Sequence, residues 1–213
     1  MRTKIFIRIL MLSLFCIGLS AQAQSDKKYR KTMEKVYKAK TKELKKQKWV
    51  TSGTSLTLDA AIMKHLRTLH ANENNKEIIA TVSMCQSLNV CKSAALNNAL
   101  IEYAQSAGSY VRGRIVSDMF NNSSGDVPAE FDKFYAAYER LVSAEVRGEL
   151  DFSLALEKPN GAGKSYQAWY IVDEDKAMQA RVRAMRRAAE ETRLAQEYAN
   201  QVSQFVQEAF EEK

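Results

Sequence analysis

Two cysteines have a spacing that limits the chemistry open to them. Cys85 and Cys91 enclose Gln86-Ser87-Leu88-Asn89-Val90, which we predict to be a turn between a strand and a helix. Across such a turn the sulfur atoms can meet and close a seven-residue loop. On one strand they would lie about 20 Å apart, beyond disulfide reach. The alternatives to a disulfide are two free buried thiols or a metal or redox role, although the C-x-x-C redox spacing is absent.

Only two histidines, His65 and His70, can supply imidazole chemistry. They lie five residues apart on a predicted helix and so point about 140° apart, whereas a metal pair at i, i+4 shares one face. We therefore expect two ordinary surface histidines. The stretch 161–164 lacks the spacing of a phosphate-binding loop, and neither a serine nucleophile elbow nor a zinc-like Cys/His cluster occurs. The sequence therefore predicts no catalytic residue, no metal ligand and no cofactor.

Aromatic side chains could line a ligand groove or fill a core. The aromatic residues in question are Tyr103, Tyr110, Tyr135, Tyr138, Tyr166, Trp169 and Tyr170. Their helical or alternating spacing favours the core for most of them. Trp169 is the exception, because it lies with Ile171 on the strand face opposite Tyr166 and Tyr170. One of those two faces must be less buried unless a helix covers each, so Trp169 is a candidate for an exposed interaction surface.

The N-terminal residues have the pattern of an export signal. A basic segment (Arg2, Lys4, Arg8) precedes the apolar run 9–19, and Ala21-Gln22-Ala23 then supplies a cleavage site. Eleven apolar residues are too few to span a bilayer, which needs roughly 20, so a membrane anchor is the disfavoured alternative. Bulky Phe15 before Cys16 disfavours lipidation. We predict a signal peptide over 1–23, no transmembrane span after its cleavage, and a bacterial periplasmic or outer-membrane-associated location. Cleavage removes Cys16, and the two cysteines that remain could form a disulfide there.

Charge is divided unevenly along the chain. Residues 24–48 carry a net charge of +8, and residues 49–213 a net charge of −4. This basic arm is either a solvated helix or a binding surface for an acidic protein, an anionic envelope surface or nucleic acid. Export argues against nucleic acid. We predict that 24–48 is a helical arm and that 49–213 is a single domain.

The elements that position these residues follow from hydrophobic periodicity. Thr57 can cap the second helix, which has Asp59 in its first turn. The order is ααβααββα, with about five helices packed on one face of a small, mainly antiparallel three-stranded sheet, an α+β fold with long terminal helices. The second helix runs from the Thr57 cap to the polar turn at 72–75. The other predicted strands and helices are 26–48, 78–84, 93–119, 128–142, 146–157, 166–172 and 175–210.

The segment 146–157 alternates apolar and polar residues most regularly. Period two predicts a strand with one buried face, which carries Phe152 and Leu154, while Glu149 and Asp151 are exposed. Asn160-Gly161 suits the following hairpin turn. The C-terminal helix keeps an apolar stripe to its end, and acidic residues beside the stripe complement the basic arm. We expect this stripe to carry the interaction through Tyr198, Val202, Phe205 and Phe210, with the two termini pairing within one chain or between two copies.

The region from the strand at Ile78 to the strand ending at Val172 resembles a bacterial envelope group. It is similar to the small envelope-lipoprotein domains related to the N-terminal domain of the flagellar T-ring protein. The resemblance rests on a strand, a long Ala-rich helix (Ala94-Ala95-Leu96-Asn97-Asn98-Ala99-Leu100), another helix and an aromatic-rich final strand (Trp169-Tyr170-Ile171-Val172). It implies a non-enzymatic envelope role and supplies no catalytic residue. This chain departs from the group by lacking a lipidation motif.

Together these features predict an exported, non-catalytic protein that binds or scaffolds an envelope protein or surface, with homo-oligomerisation as one form of that binding. The alternative is a periplasmic enzyme or small-ligand-binding protein with its site between a helix and the sheet. A converging polar cluster beneath a cleft would favour the alternative.

Overall fold

The computed structural model describes residue 32 and the ranges 34–119 and 130–192. The predicted signal peptide and the C-terminal stripe of Tyr198, Val202, Phe205 and Phe210 lie outside these residues. The chain divides into two units between Lys48 and Trp49. In the first unit a helix, α1, covers 34–46. It ends where Lys48, at a φ of 62°, donates its N–H to the carbonyl of Lys45 at 3.0 Å, a left-handed conformation that usually takes glycine.

The second unit is an α+β domain, as predicted. Its elements are β1 (Val50–Thr51), α2 (Leu58–Leu69), β2 (Asn75–Cys85), α3 (Leu88–Met119), α4 (Glu130–Glu145), β3 (Leu150–Asn160), β4 (Gly163–Asp173) and α5 (Glu174–Thr192), with a 3-10 turn at Val146–Glu149. The Thr57 cap is confirmed, because its hydroxyl accepts a hydrogen bond from the Ala60 N–H. The prediction of three strands in the order ααβααββα is wrong, because β1 was missed. Two residues cannot show alternation, and β1 is a strand only because it pairs with β3.

The four strands form one antiparallel sheet in the order β1–β3–β4–β2. A two-residue turn joins β3 to β4, and its first residue, Gly161, has a φ of +58°, which L side chains rarely adopt. Asn160 secures this turn to the edge strand by donating its side-chain amide to the Ser83 carbonyl at 2.7 Å. The long strand β2 therefore lies at one edge of the sheet, beside β4.

Helices cover both faces of the sheet, so the prediction of helices on one face is wrong. On one face the core includes Ile78, Ala168 and Tyr170 together with residues of α3, α4 and α5. On the other face Trp169 contacts His65 of α2, with ring centroids 5.2 Å apart. Trp169 is only 1% exposed, so it does not belong to an interaction surface. The face of β4 that carries Trp169 and Ile171 is buried because α2 lies over it.

A β-bulge in β3 changes which residues face the core. The pairing between β3 and β4 shifts between Phe152 and Leu154, which leaves Ser153 as the extra residue. Leu154 is buried, as predicted, on the sheet face that α2 covers, where it pairs across the strands with Trp169. Phe152 pairs with Tyr170 and is 56% exposed, so its predicted core position is wrong. Residues 146–149 form the 3-10 turn and not the start of the strand.

A disulfide joins Cys85, the last residue of β2, to Cys91 in the first turn of α3, with a Cα–Cα distance of 5.5 Å. Both cysteines are buried. The helix begins earlier than the predicted residue 93, and the N–H of Cys91 already donates to the Ser87 carbonyl at 3.0 Å. The bond fastens the edge strand β2 to the start of α3.

Candidate functional site

A cleft opens where α5 begins, bounded by α3, by the loop before β2 and by the start of β2. Its volume is about 530 Å³, which is in the range of small-ligand sites. Polar and charged side chains from four segments converge on it. The lining residues are Glu73, Asn74, Lys76, Tyr103, Ser106, Ala107, Tyr110, Glu174, Asp175, Met178 and Arg181.

The floor of the cleft is a buried ion pair. Arg181 donates from Nη1 to Glu174 Oε2 at 2.7 Å and also to the hydroxyl of Tyr103. The side chains of Arg181 and Glu174 are 7% and 15% exposed. Lys76 lies over the second carboxylate oxygen of Glu174 at 3.4 Å. Burial raises the pKa of Tyr103 well above its usual range, so this phenol remains protonated at neutral pH.

Local sequence explains how the floor is built. Glu174 is the first residue of α5, where a carboxylate complements the helix dipole, and Arg181 lies seven residues later on the same side of the helix. The N–H of Glu174 donates to the Asn74 carbonyl at 3.0 Å, and the Asn74 side chain donates to Asp175 at 2.8 Å. The loop before β2 is thereby fixed to the start of α5, and the cleft has ordered walls.

The rim of the cleft combines apolar and acidic groups. Tyr110 is exposed and Met178 is partly buried, which gives an apolar wall. Glu73 and Asp175 are exposed and carry carboxylates. An aliphatic stem that ends in a cation would match both properties, since such a side chain packs its methylenes on apolar groups and places its charge beside carboxylates.

A second polar cluster lies between α2 and the sheet. His65 is fully buried, with Nδ1 2.8 Å from Ser153 Oγ and Nε2 2.7 Å from Glu77 Oε1. With Glu77 ionised, the imidazole donates a hydrogen bond from Nε2 to the carboxylate and accepts one at Nδ1 from the Ser153 hydroxyl. A Ser-His-acid triad orders its protons in the same direction, although there the serine faces Nε2 and the acid faces Nδ1.

The expectation that both histidines lie on the surface is therefore wrong for His65. A signal for its burial existed in the sequence, because Leu58, Ile62 and Leu66 put the apolar face of α2 at the position of His65. The cleft was also missed, although a glutamate at a helix start with an arginine seven residues later is visible in the sequence. Only the tertiary structure brings Tyr103 and Lys76 to that pair.

Other predicted groups do not join the cleft. The Cys85–Cys91 disulfide lies at the opposite end of β2 from Lys76, and Trp169 is buried under α2. Across 34–119 and 130–192, no group of three or more histidine, cysteine, aspartate or glutamate residues could hold a metal ion. In the same part of the chain no helix is both long and apolar enough to cross a membrane. Comparison with known proteins finds no matching family model and no significantly similar curated protein or solved structure.

Proposed function

We propose that the protein is an exported, non-catalytic component of the bacterial cell envelope that binds a protein partner through the cleft at the start of α5. A converging polar cluster would favour a small-ligand site if its charges faced the cleft, but here Lys76 and Arg181 are both engaged by Glu174. The observation that carries this proposal is that the exposed groups of the lining include carboxylates and an aromatic ring. Export is supported by the signal-like pattern of residues 1–23 and by the Cys85–Cys91 disulfide, a bond typical of oxidising compartments. The resemblance to envelope-lipoprotein domains supports the same assignment.

The rim indicates which part of the partner enters. Glu73 and Asp175 supply negative charge to the cleft, and the exposed aromatic ring of Tyr110 lines the same cleft. The two cations of the cleft, Lys76 and Arg181, are both engaged by Glu174. The group that fits is therefore a lysine or arginine side chain presented by a segment of the partner.

Photo-crosslinking in living cells tests the cleft directly. A photoreactive amino acid in place of Tyr110 is expected to capture one envelope protein as a discrete adduct. The control places the same probe at Gln105, which is exposed on α3 and does not line the cleft. The proposal fails if neither position gives an adduct, or if both give the same one.

A matched pair of charge reversals tests the chemistry of the rim. Glu73→Lys, made in the Tyr110 probe background, should reduce the adduct at least about tenfold, because it replaces attraction at the mouth with repulsion. Glu102→Lys makes the same charge change at an exposed position of α3 outside the cleft and should leave the yield unchanged. Equal yields from the two variants would contradict recognition of a basic side chain.

A second candidate function is a serine hydrolase, favoured by the Ser153–His65–Glu77 hydrogen-bond chain. Such an enzyme would react at Ser153 with a fluorophosphonate probe, and Ser153→Ala would abolish the label. Full burial of the His65 ring weighs against this function, because His65 can exchange protons only with groups packed around it. Absence of labelling on the native protein would eliminate this candidate.

A further inference from the structure

Five lysines lie on one side of α1. All five side chains are exposed on this helix, which covers 34–46. At 100° per residue they fall within an arc of about 100°, and Tyr37 and Leu44 lie roughly opposite. We call this side the lysine face, and its members are Lys35, Lys38, Lys42, Lys45 and Lys46.

The acidic residues of α1 do not cancel the charge of this face. Glu34 pairs with Lys38 across one helical turn at 2.6 Å, at the border of the arc. Glu43 lies off the arc, and its carboxylate accepts a hydrogen bond from the Gln47 side chain at 3.1 Å. Of the two glutamates of α1, only Glu34 therefore offsets a charge of the lysine face, at Lys38.

The type of cation indicates the type of partner. All five members are lysine, whose ammonium is a compact, strongly hydrated charge without the planar fork that arginine offers to one carboxylate or phosphate. The face extends about 16 Å along the helix axis, at 1.5 Å per residue. No aromatic residue lies within the arc, so adsorption would depend on charge without insertion of a side chain into the acyl region. A flat surface with many phosphates matches these properties better than a folded acidic site.

We propose that the lysine face docks the protein on a bilayer surface that contains anionic phospholipid headgroups. This peripheral attachment does not depend on the cleft or on its partner. Each lysine near an anionic surface strengthens binding by about fivefold, and added salt weakens it because the Debye length falls from about 10 Å at 0.1 M to about 3 Å at 1 M.

Vesicle flotation tests the proposal with protein purified from the cells that make it, as those cells process it. One vesicle preparation contains phosphatidylcholine with about a third phosphatidylglycerol, and the other contains phosphatidylcholine alone. We expect flotation only with the anionic vesicles at low salt, and release at about 0.5 M salt. Equal binding to both vesicles, or no binding to either, overturns the proposal. Retention on polyglutamate or DNA without vesicle binding overturns it in favour of an acidic protein or nucleic acid.

A charge-matched pair of triple variants locates the binding face. The first, Lys35→Glu/Lys42→Glu/Lys46→Glu, should lower the partition coefficient at least about tenfold. The control makes the same change in net charge at exposed lysines of α2, α4 and α5: Lys64→Glu, Lys133→Glu and Lys176→Glu. The control should stay within about twofold of the native protein. Equal losses in both variants would mean that net charge alone drives binding, and would overturn the lysine face.

A third variant, with glutamine at the same three positions of the lysine face, controls for a folding defect caused by charge reversal. It keeps long helix-forming side chains, so a loss of binding intermediate between the native protein and the reversal variant supports the proposal. Binding equal to that of the native protein overturns it. Far-ultraviolet circular dichroism and the melting temperature establish that each variant is folded.

Discussion

His65 shows how a single polar residue can hold two layers of the fold together. Its ring links α2 to Ser153 of β3 and to Glu77 of β2, and it also contacts the edge of Trp169. In this role the imidazole satisfies two polar groups that would otherwise lose a hydrogen-bond partner beneath the helix. A structural linker and a catalytic base would share this geometry, and their responses to substitution distinguish them.

Replacing His65 tests its role as a linker. His65→Ala should lower the free energy of unfolding by about 2–4 kcal/mol, because it removes packing and leaves Ser153 and Glu77 without the ring. Ser153→Ala removes one hydrogen bond and should cost about 1 kcal/mol. The control, exposed His70→Ala, should stay within about 0.5 kcal/mol. Urea denaturation measures all three, and an equal effect at His65 and His70 would show that the buried ring is not a linker.

The exposure of Phe152 can be tested against its neighbour in β3. Phe152→Ala should cost less than about 1 kcal/mol, because the ring is more than half exposed and packs against the ring of Tyr170. Leu154→Ala removes a side chain that is only 4% exposed and should cost about 2–5 kcal/mol. Denaturant midpoints of the two variants give the comparison. If Phe152→Ala is the more destabilising change, the bulge at Ser153 is misplaced.

Helices and strands are predictable from the sequence where a pattern of apolar residues repeats over several turns or residues. Features that depend on contacts with another strand or helix are not predictable in this way. The long helix α3 and the hairpin turn at Gly161 were predictable from periodicity and turn chemistry. The side switch in β3 was not, because apolar residues at 150, 152, 154 and 156 fit a regular strand equally well. Since helices cover both faces of the sheet, one extra residue at Ser153 can move the later apolar residues to the other face without exposing them.

The short strand β1 is held by a polar contact that gives its pairing a pH dependence. Ser52 donates to Glu157 Oε2 at 2.6 Å, and Lys164 contacts the same oxygen at 3.0 Å. The Ser52 hydrogen bond, together with Lys164, lowers the pKa of Glu157 below 4.5, although partial burial opposes the shift. The unfolded chain therefore binds this proton more readily. The resulting stabilisation is present above about pH 5 and is lost as pH falls through 4.5 towards the folded pKa.

Glu157→Gln removes the carboxylate whose titration makes the free energy of unfolding depend on pH in this way. Between about pH 6 and pH 3.5 the native protein should lose about 0.5–1 kcal/mol more stability than the variant, a small value because the carboxylate is partly exposed. Glu102→Gln, at an exposed position of α3, should preserve the native pH profile. Urea unfolding at a series of pH values measures the difference. Parallel profiles for the native protein and Glu157→Gln would refute the contribution.

For the whole molecule, sequence and structure contribute different parts of the functional assignment. The boundary between a basic arm and an acidic body is a property of composition, and it is visible in the sequence because charge does not depend on folding. The cleft is a property of tertiary structure, since Lys76, Tyr103 and Arg181 come from segments far apart in the chain. The proposed location in the envelope is compatible with both parts, because a disulfide persists in an oxidising compartment and the proposed lysine face needs an anionic membrane surface.

The N-terminus and the oxidation state of the cysteines test that location on the intact protein. Mass spectrometry of protein from its native cells should find Gln24 or Ser25 at the N-terminus, because cleavage follows Ala21-Gln22-Ala23, and should find Cys85 and Cys91 unreactive towards an alkylating reagent. Deleting 1–23 should retain the chain in the cytoplasm, where both thiols become alkylated. That reduced form should be less stable by about 2 kcal/mol, as expected for a seven-residue loop. An intact Met1 or a lipid on Cys16 would refute cleavage after Ala23. Two reactive thiols in exported protein would show that the bond between β2 and α3 does not form in the envelope.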